Sequence, residues 1–222
     1  MTLIVTGGYL PLSFLQRQVS FFTQKYGRSS DWCIIAADRG AEACMALDLI
    51  PDHVVGDFDS LDPACKDRLA KWQEQGTQIL TLPAEKDDTD TEAALHLALE
   101  QTEGEIVLLG GTGHRLDHVL GNVSLLCQGL QAGRPMQIVD PHNRIRMTDS
   151  ELVIQREEQY GSYVSLFPCG GPAKVTLEGF AYPLTHFLLE GNTSLGVSNE
   201  IVADVAKIRA EEGRLLVIES KD

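Results

Sequence analysis

The sequence predicts two domains: an α/β domain built on a parallel sheet, followed by an all-β domain. Up to about residue 140, short apolar runs alternate with amphipathic segments, which is the pattern of a parallel sheet covered by helices on both faces. From about Asn143 the apolar runs are short and separated by Gly, Pro and Asn, as in small antiparallel domains. The run 141–143 (Pro-His-Asn) is the best linker, so the predicted domains are residues 1–142 and 143–222.

The predicted strands of the first domain are apolar runs, and its helices show apolar residues at helical spacing. The strands are 3–5, 33–37, 52–55, 78–81, 105–109 and 136–140. A helix opened by Pro11 places Leu12, Leu15, Val19 and Phe22 on one face, and further helices are expected over 41–47, 63–75, 91–101 and from about 115 to Gly133. Every unusual cluster (7–8, 38–40, 56–60, 85–90 and 110–118) follows a strand. Ligands of such sheets bind at the carboxyl ends of the strands, so these clusters predict a site there.

The second domain contains four clear strand patterns, each of them short. They are residues 152–154, 163–167, 174–177 and 215–218. No long helical period occurs after residue 145, which is why an all-β domain is expected.

Composition narrows the possible functions. A formal net charge of −14 over 222 residues disfavours nucleic acid as a partner, because phosphate backbones bind basic surfaces. No apolar run is long enough to cross a bilayer, and the first residues lack the basic flank of a signal peptide. Five scattered cysteines without a C-x-x-C pair disfavour structural zinc and disulfides. We therefore expect a cytoplasmic protein without a membrane or nucleic-acid partner.

The first acidic cluster is Gly56-Asp57-Phe58-Asp59-Ser60, which follows a short β-branched run. In an extended segment, Asp57 and Asp59 would project to the same side, with Phe58 turned into packing. Two convergent carboxylates favour a hard divalent cation between them. The alternative is an ordinary surface turn, in which Asp and Ser are common.

The second acidic cluster is Lys86-Asp87-Asp88-Thr89-Asp90, at the start of a predicted helix. Helix capping and the helix dipole account for one or two of these residues. Three aspartates in four positions exceed what capping requires, and Asp87 and Asp90 lie about one helical turn apart. This cluster is interpreted as a second wall of a metal site.

The third cluster is a glycine turn, Gly110-Gly111-Thr112-Gly113, continued by His114-Arg115-Leu116-Asp117-His118. Glycines between a strand and a helix bring backbone N–H groups close to phosphate, although a plain turn with solvated polar side chains is the alternative. The following helix is expected to bury Leu116, Val119 and Leu120, which leaves Arg115, His118 and Asn122 on a polar face. Neither a P-loop nor a dinucleotide fingerprint is present. Metal-binding carboxylates combined with a phosphate site indicate phosphoryl-type transfer.

These motifs occur in a familiar order along the chain. They are Ala37-Asp38-Arg39-Gly40-Ala41, Pro51-Asp52 with Gly56-Asp57-Phe58-Asp59-Ser60, Lys86-Asp87-Asp88-Thr89-Asp90, Gly110-Gly111 with Arg115-Leu116-Asp117-His118, and Gly196-Val197-Ser198-Asn199-Glu200. The ordered set resembles the bacterial form of thiamine pyrophosphokinase over almost the whole chain. The resemblance implies a Rossmann-like catalytic domain, a β-sandwich domain, and Mg²⁺-dependent transfer of the diphosphate of ATP to the hydroxyl of thiamine, giving thiamine diphosphate and AMP. It also implies a homodimer with a shared active site.

The resemblance also implies roles for individual residues. Asp57, Asp59 and Asp87 correspond to Mg²⁺ ligands, and with Asp90 they form the expected catalytic set. The residues expected to border ATP are Asp38, Arg39, Gly110, Gly111, Arg115, Asp117 and His118. Ser198 and Asn199 are expected at the thiamine pyrimidine. Two departures are Arg39, where many members have glycine, and Asp88, an extra acid in a variable position.

Two other hypotheses are compatible with parts of this pattern. A pyrophosphokinase acting on 6-hydroxymethyldihydropterin would use similar acidic and glycine motifs, but the Ser198-Asn199 motif disfavours it. A catalytically silent sensor of ATP or thiamine is disfavoured because a binding protein does not need so many carboxylates.

Overall fold

The computed structural model describes residues 1–27, 31–58, 63–83 and 87–222, with the backbone alone at residues 63 and 64. Its internal contacts divide the chain into two compact units, Met1–Asp140 and Pro141–Asp222. The first unit is α/β and the second is antiparallel β, so the predicted fold class is confirmed. Within the described ranges, no helix is both long and apolar enough to span a bilayer.

Strands and helices alternate through the first unit. The strands are β1 (Thr2–Val5), β2 (Cys33–Ala37), β3 (His53–Gly56), β4 (Gln78–Thr81), β5 (Ile106–Leu109) and β6 (Met136–Val139). The helices are α1 (Leu12–Tyr26), α2 (Gly40–Ala46), α3 (Pro63–Glu74), α4 (Asp90–Gln101) and α5 (Leu116–Gln131). The predicted helix after Pro11 forms, but Pro11 is its N-cap, Leu12 is exposed and Phe14 is buried instead.

The order of these strands creates a crevice beside β1. They pair in the order β4-β3-β2-β1-β5-β6, and every neighbouring pair is parallel. Parallel crossovers are right-handed. The helices that connect β1 to β4 (α1, α2 and α3) therefore lie on one face of the sheet, and the helices that connect β4 to β6 (α4 and α5) lie on the other face. Consistent with this, α1, α2 and α3 pack in succession and α4 packs on α5. The connections after β1 and β5 therefore diverge, which is the arrangement that opens a ligand crevice at the strand ends.

The core of the first unit is formed by its central strands. Leu3, Ile4 and Val5 of β1 are fully buried, as are all four residues of β5. Each large aliphatic side chain buried in this way contributes roughly 1.5–3 kcal/mol. The edge strand β4 is mostly exposed. The rigid centre of the sheet thus carries the loops that border the crevice.

The second unit is a sandwich of two antiparallel sheets. Its strands are β7 (Asn143–Thr148), β8 (Glu151–Gln155), β9 (Tyr163–Pro168), β10 (Ala173–Glu178), β11 (Leu184–Leu189), β12 (Val205–Glu212) and β13 (Leu215–Ser220). β13 pairs with β7 and β9, and the other sheet has the order β11-β10-β12-β8. Residues from both sheets share one core, including Leu166 of β9, Val175 of β10 and Val217 of β13.

A buried carboxylate ties β13 to β7. Glu219 is fully buried and accepts hydrogen bonds from Arg144 Nε and Nη2 (both 2.7 Å) and from Arg146 Nη2 (2.6 Å). The backbone N–H of Tyr160 donates to the same carboxylate at 3.0 Å. Burial alone would raise the pKa of Glu219, but the hydrogen bond from Arg144 and the charges of both arginines outweigh it, so this pKa is lowered. Glu219 is therefore held ionised inside the unit.

Candidate active site

A cleft opens at the carboxyl edge of the first unit's sheet, beside β1 and β5. Its volume is about 940 Å³. It is lined by residues 6–11, 38–39, 89–91 and 110–115, together with His118, Val119 and Asn122 of α5. The predicted clusters at 7–8, 38–40 and 110–118, and the last residues of the second acidic cluster, all contribute to this cleft. Such a crevice at a switch in strand order is the usual ligand site of this fold class.

Two glycine loops form one wall of the cleft and touch through their backbones. The N–H of Tyr9 donates to the carbonyl of Thr112 at 2.7 Å. A Cβ placed on Gly8 would lie 2.1 Å from the carbonyl oxygen of Gly110, and one on Gly110 would lie 2.3 Å from that of Thr6. Gly110 also has φ 77°, which glycine adopts without strain. Only glycine at these positions lets the two backbones approach, so the wall presents main-chain groups to a ligand.

The start of α4 forms a second wall. Thr89 is its N-cap and accepts a hydrogen bond from the N–H of Glu92 at 3.2 Å. The hydroxyl of Thr91 is buried and lies 2.9 Å from that of Thr6, which joins the helix start to the end of β1. Asp90, in the first turn, lines the cleft. A helix start beside glycine loops favours negatively charged groups such as phosphate.

Asp38 and Arg39 border the cleft at the end of β2. Asp38 has φ 48°. Its backbone N–H donates to the carbonyl of Val55 at 2.8 Å, and its carbonyl accepts from the N–H of Ala41 at 3.0 Å. Asp tolerates this left-handed conformation better than most residues. The Arg39 side chain is exposed, with Nε 3.7 Å from Glu42 Oε2. Both residues predicted at the nucleotide from this loop therefore lie at the cleft.

Asp57 follows β3 and is partly buried. Phe58 has φ 58°, so the backbone there is not the extended one from which the common direction of Asp57 and Asp59 was predicted. Asp59 lies outside the described residues, as do Ser60 and Lys86. Neither Asp57 nor Asp87 is among the described residues that line the cleft. Over the same described ranges, no three His, Cys, Asp or Glu side chains lie close enough together to hold a metal ion.

Arg115 and Asp117 form a pair at the mouth of the cleft. Arg115 Nη2 donates to Asp117 Oδ2 at 2.6 Å, and Nε donates to Oδ1 at 3.2 Å. The hydrogen bond from Arg115 lowers the pKa of Asp117 to about 2, and the same contact raises the pKa of Arg115. Of the two, Arg115 lines the cleft and Asp117 does not. Asp117 thus contacts the guanidinium of the one residue of this pair that lines the cleft.

The first half of α5 is oriented differently from the prediction. Leu116 and Leu120 are 72% and 65% exposed, and the buried residues of this helix are Leu125, Leu126 and Gly129. The predicted burial of Leu116 and Leu120 is therefore wrong, and Val119 is only partly buried and lines the cleft. His118 and Asn122 line the cleft as expected, and Asn122 Nδ2 donates to the carbonyl of Gly111 at 2.8 Å. The periodicity identified an apolar stripe correctly, but its first half does not face the core of this unit.

Residues outside the predicted clusters also line the cleft, among them Thr6, Tyr9 and Thr91. Thr6 directly follows the apolar run of β1, which is a position that could have identified it. The rings of Tyr9 and His114 meet edge to face with centroids 6.5 Å apart. Thr91 is recognisable only from its contact with Thr6, which joins residues 85 positions apart.

In the second unit, Ser198 and Asn199 lie on a segment that pairs with β9. Asn199 exchanges backbone hydrogen bonds with Val164, and its buried side chain bonds the N–H (3.0 Å) and carbonyl (2.8 Å) of Tyr182. Ser198 has φ 59°, is exposed, and its N–H donates to Ser165 Oγ at 3.1 Å. A Cβ on Gly196 would lie 2.3 Å from the carbonyl oxygen of Leu166, so this pairing requires glycine. Asn199 therefore fixes the segment, and Ser198 is the exposed residue of the two.

Two family models match successive parts of the chain. "Thiamin pyrophosphokinase, catalytic domain" matches residues 24–138, and "Thiamin pyrophosphokinase, vitamin B1 binding domain" matches residues 149–215. Thiamine pyrophosphokinase of Bacillus subtilis (strain 168) is 33% identical over 190 residues, which is 85% of this chain and 87% of the relative.

Solved structures agree with this similarity. The crystal structure of thiamine pyrophosphokinase from Bacillus subtilis has a TM-score of 0.85 at 29% identity and covers 100% of this chain and 99% of its own. That of thiamin pyrophosphokinase from Geobacillus thermodenitrificans has a TM-score of 0.81 at 35% identity and covers 100% and 97%.

Proposed function

This chain belongs to the thiamine pyrophosphokinase family, and from this premise we propose that it transfers the diphosphate of ATP to the hydroxyl of thiamine, releasing AMP. The observation that carries the proposal is the cleft at the carboxyl ends of β1 and β5. It combines glycine-loop backbone with the starts of α4 and α5, which is the environment that binds polyphosphate. The enzyme is thus a diphosphotransferase with ATP as co-substrate.

The phosphates of ATP bind along the glycine wall in this proposal. Gly110 and Gly111 supply the turn, and Arg115 and His118 supply side chains that can contact phosphate. Asp38 and Arg39 border the nucleotide from the end of β2. Asp117 acts through Arg115, because their hydrogen bonds fix the guanidinium in place.

The carboxylates of the site suit Mg²⁺, since hard divalent cations take oxygen ligands. Asp57, Asp59 and Asp87 would hold the ion, and Asp90 completes the catalytic set from the first turn of α4. Support comes from Gly56, where an added Cβ would lie 3.3 Å from Asp38 Cα, so the chain before Asp57 runs close to a residue of the cleft. Bound Mg²⁺ supplies positive charge to the phosphates during transfer.

The reaction forms one bond and breaks another at the β-phosphorus of ATP. The thiamine hydroxyl oxygen attacks this phosphorus in line, and the bond from the β-phosphorus to the bridging oxygen of the α-phosphate breaks, so AMP leaves with that oxygen. The hydroxyl proton goes to an aspartate of the site or to solvent. The cleft residues contribute by orienting the two substrates and by stabilising negative charge on the phosphates.

Thiamine binds through the second unit in this proposal, with Ser198 and Asn199 at the pyrimidine. The exposed hydroxyl of Ser198 is suited to direct contact. The buried Asn199 amide already bonds the backbone of Tyr182, so its contribution is to hold Ser198 in position.

We also propose a homodimer with a shared active site, located in the cytoplasm. Exposure of Leu116 and Leu120 on α5 supports an interface, because contiguous apolar residues on a helix face are usually covered. Cys33, Cys44 and Cys169 are free thiols, which agrees with a reducing compartment.

Incubation of the purified protein with Mg-ATP and either thiamine or 6-hydroxymethyldihydropterin tests the proposal. Chromatography should show AMP and thiamine diphosphate in equal amounts with thiamine, and no AMP above background with the pterin. AMP formation with the pterin alone would overturn the assignment. Binding of ATP and thiamine without AMP formation would show a binding protein instead.

A further inference from the structure

Asp88, the extra acid of the second acidic cluster, contacts α4 instead of lining the cleft. Its Oδ2 lies 3.5 Å from Nδ1 of His96, two turns along the helix. The neighbouring residues 89–91 line the cleft, whereas Asp88 is not among its described lining residues. The carboxylate is thus used for a contact within the unit.

His96 is in turn held by α5 through an amide. Its Nε2 lies 3.1 Å from Oε1 of Gln128, and Nε2 of Gln128 donates to Oε1 of Glu92 at 2.6 Å. The Glu92 carboxylate only accepts, so the NH₂ of Gln128 faces Glu92 and its carbonyl oxygen faces His96. That carbonyl also only accepts, which requires a proton on Nε2 of His96. The two ring nitrogens of His96 thus face Gln128 and Asp88, one each.

We propose that Asp88 is a positioning residue that fixes the acidic segment before α4 for Mg-ATP. A series of contacts from Asp88 through His96 and Gln128 to Glu92 joins the acidic segment, residues 87–89, to α4 and α5. Asp87 precedes the anchored residue and Asp90 begins the helix two residues later, so the anchor limits where both carboxylates can lie. This inference rests on the proposed function for the identity of the ligand.

The anchor acts locally and contributes little to the stability of the fold. The side chains of His96 and Asp88 are 44% and 49% exposed, and exposed ion pairs add little to global stability. The helix start is already capped by Thr89 and joined to β1 through Thr91. Loss of the anchor should therefore loosen the acidic segment without unfolding the unit.

The test compares Asp88→Asn and His96→Gln with Glu100→Gln, which removes one negative charge from an exposed position of the same helix. Calorimetry gives the Kd for Mg-ATP in the absence of thiamine, and steady-state assays give KM and kcat. We expect Asp88→Asn and His96→Gln to raise Kd and KM for Mg-ATP about 5- to 20-fold, near the lower range for groups that orient metal ligands, and to change kcat less than about twofold. The double variant should be no weaker than either single variant, and Asp88→Glu should recover most of the affinity.

Three results would overturn the positioning role: a Kd for Asp88→Asn equal to that of Glu100→Gln, additive effects in the double variant, or a loss of affinity that follows a lowered unfolding temperature. The proposed function is tested separately by the wild-type protein. If it forms no thiamine diphosphate, that function fails, while calorimetry with Mg-ATP alone still decides the role of Asp88.

Discussion

Asp38, Asp57 and Asp90 stand where a strand ends or a helix begins, and this placement sets their proposed chemistry. Asp38 and Asp90 line the cleft, and Asp57 follows the neighbouring strand β3. The sequence identified these positions because short apolar runs end directly before Asp38 and Asp57. It could not predict the conformation of Phe58, whose φ of 58° lies in the left-handed region that a bulky side chain rarely adopts.

Replacement of a proposed metal ligand should affect turnover far more than stability. We expect Asp57→Asn to lower kcat by about 10²-fold or more, because an amide is a weaker ligand than a carboxylate for a cation that stabilises the transferred phosphates. Steady-state kinetics and thermal unfolding measure the two effects. Asp67→Asn, at an exposed position of α3, is the control and should behave as wild type. Near-normal turnover of Asp57→Asn would exclude a metal role for this residue.

At the scale of elements, the loops after β1 and β5 depend on close backbone contact. Gly8→Ala should lower kcat/KM by about 10²-fold, because its Cβ would lie 2.1 Å from the carbonyl oxygen of Gly110 and would displace the glycine loops that form one wall of the cleft. Kinetic assays of the folded variant measure the effect. Gly121→Ala in α5, whose Cβ would have no atom within 4 Å, should leave activity intact and stabilise the helix by up to about 1 kcal/mol. Equal activity of the two variants would contradict the proposed wall.

The β7–β13 pair depends on the buried Glu219. Its removal leaves two arginines facing each other, so Glu219→Gln should lower the free energy of unfolding by about 2–4 kcal/mol at pH 7. The pKa of Glu219 is lowered in the folded state, so its contribution is present above the unfolded pKa of about 4.3 and is lost as the pH falls through the folded value.

Urea unfolding of wild type and Glu219→Gln should therefore show a difference in unfolding free energy at pH 7 that narrows as the pH falls below about 4.3. Glu212→Gln on β12 is the control, because this carboxylate is 76% exposed and should contribute little at any pH. A difference that is the same at pH 7 and at pH 3 would contradict the ion-pair explanation.

Three strands of the second unit escaped prediction, and α5 was assigned the wrong environment. β12 alternates small buried residues such as Ala206 with charged ones such as Lys207 and Arg209, so it lacks the apolar run by which strands were identified. In α5 the apolar spacing was correct, but spacing alone cannot distinguish a core from another surface that needs cover. The exposure of Leu116 and Leu120 was therefore found only from the structure.

At the scale of the whole molecule, these exposed leucines predict an interface between two copies of the chain. Leu116→Glu with Leu120→Glu should shift the protein from dimer to monomer, because two charges would have to be desolvated in an apolar contact. Light scattering after size-exclusion chromatography measures the mass. Phe21→Glu, at an exposed apolar position on α1, is the matched control and should remain dimeric. A wild-type monomer with full activity would contradict the shared site.

The overall plan of the molecule was predictable from the chain. Apolar runs followed by glycine or acidic clusters identified the α/β unit and the edge that carries the cleft, as at Gly110 after β5. The contact of Thr6 with Thr91 was not predictable, because it depends on how α4 returns across the sheet.

The fate of the β-phosphate tests the central claim most directly. With ATP labelled with ³²P at the β position, Mg²⁺ and thiamine, we predict that all transferred label appears in thiamine diphosphate and that the nucleotide product is unlabelled AMP. Label retained in ADP, with thiamine monophosphate as the other product, would contradict diphosphoryl transfer and would make this protein a single-phosphoryl kinase.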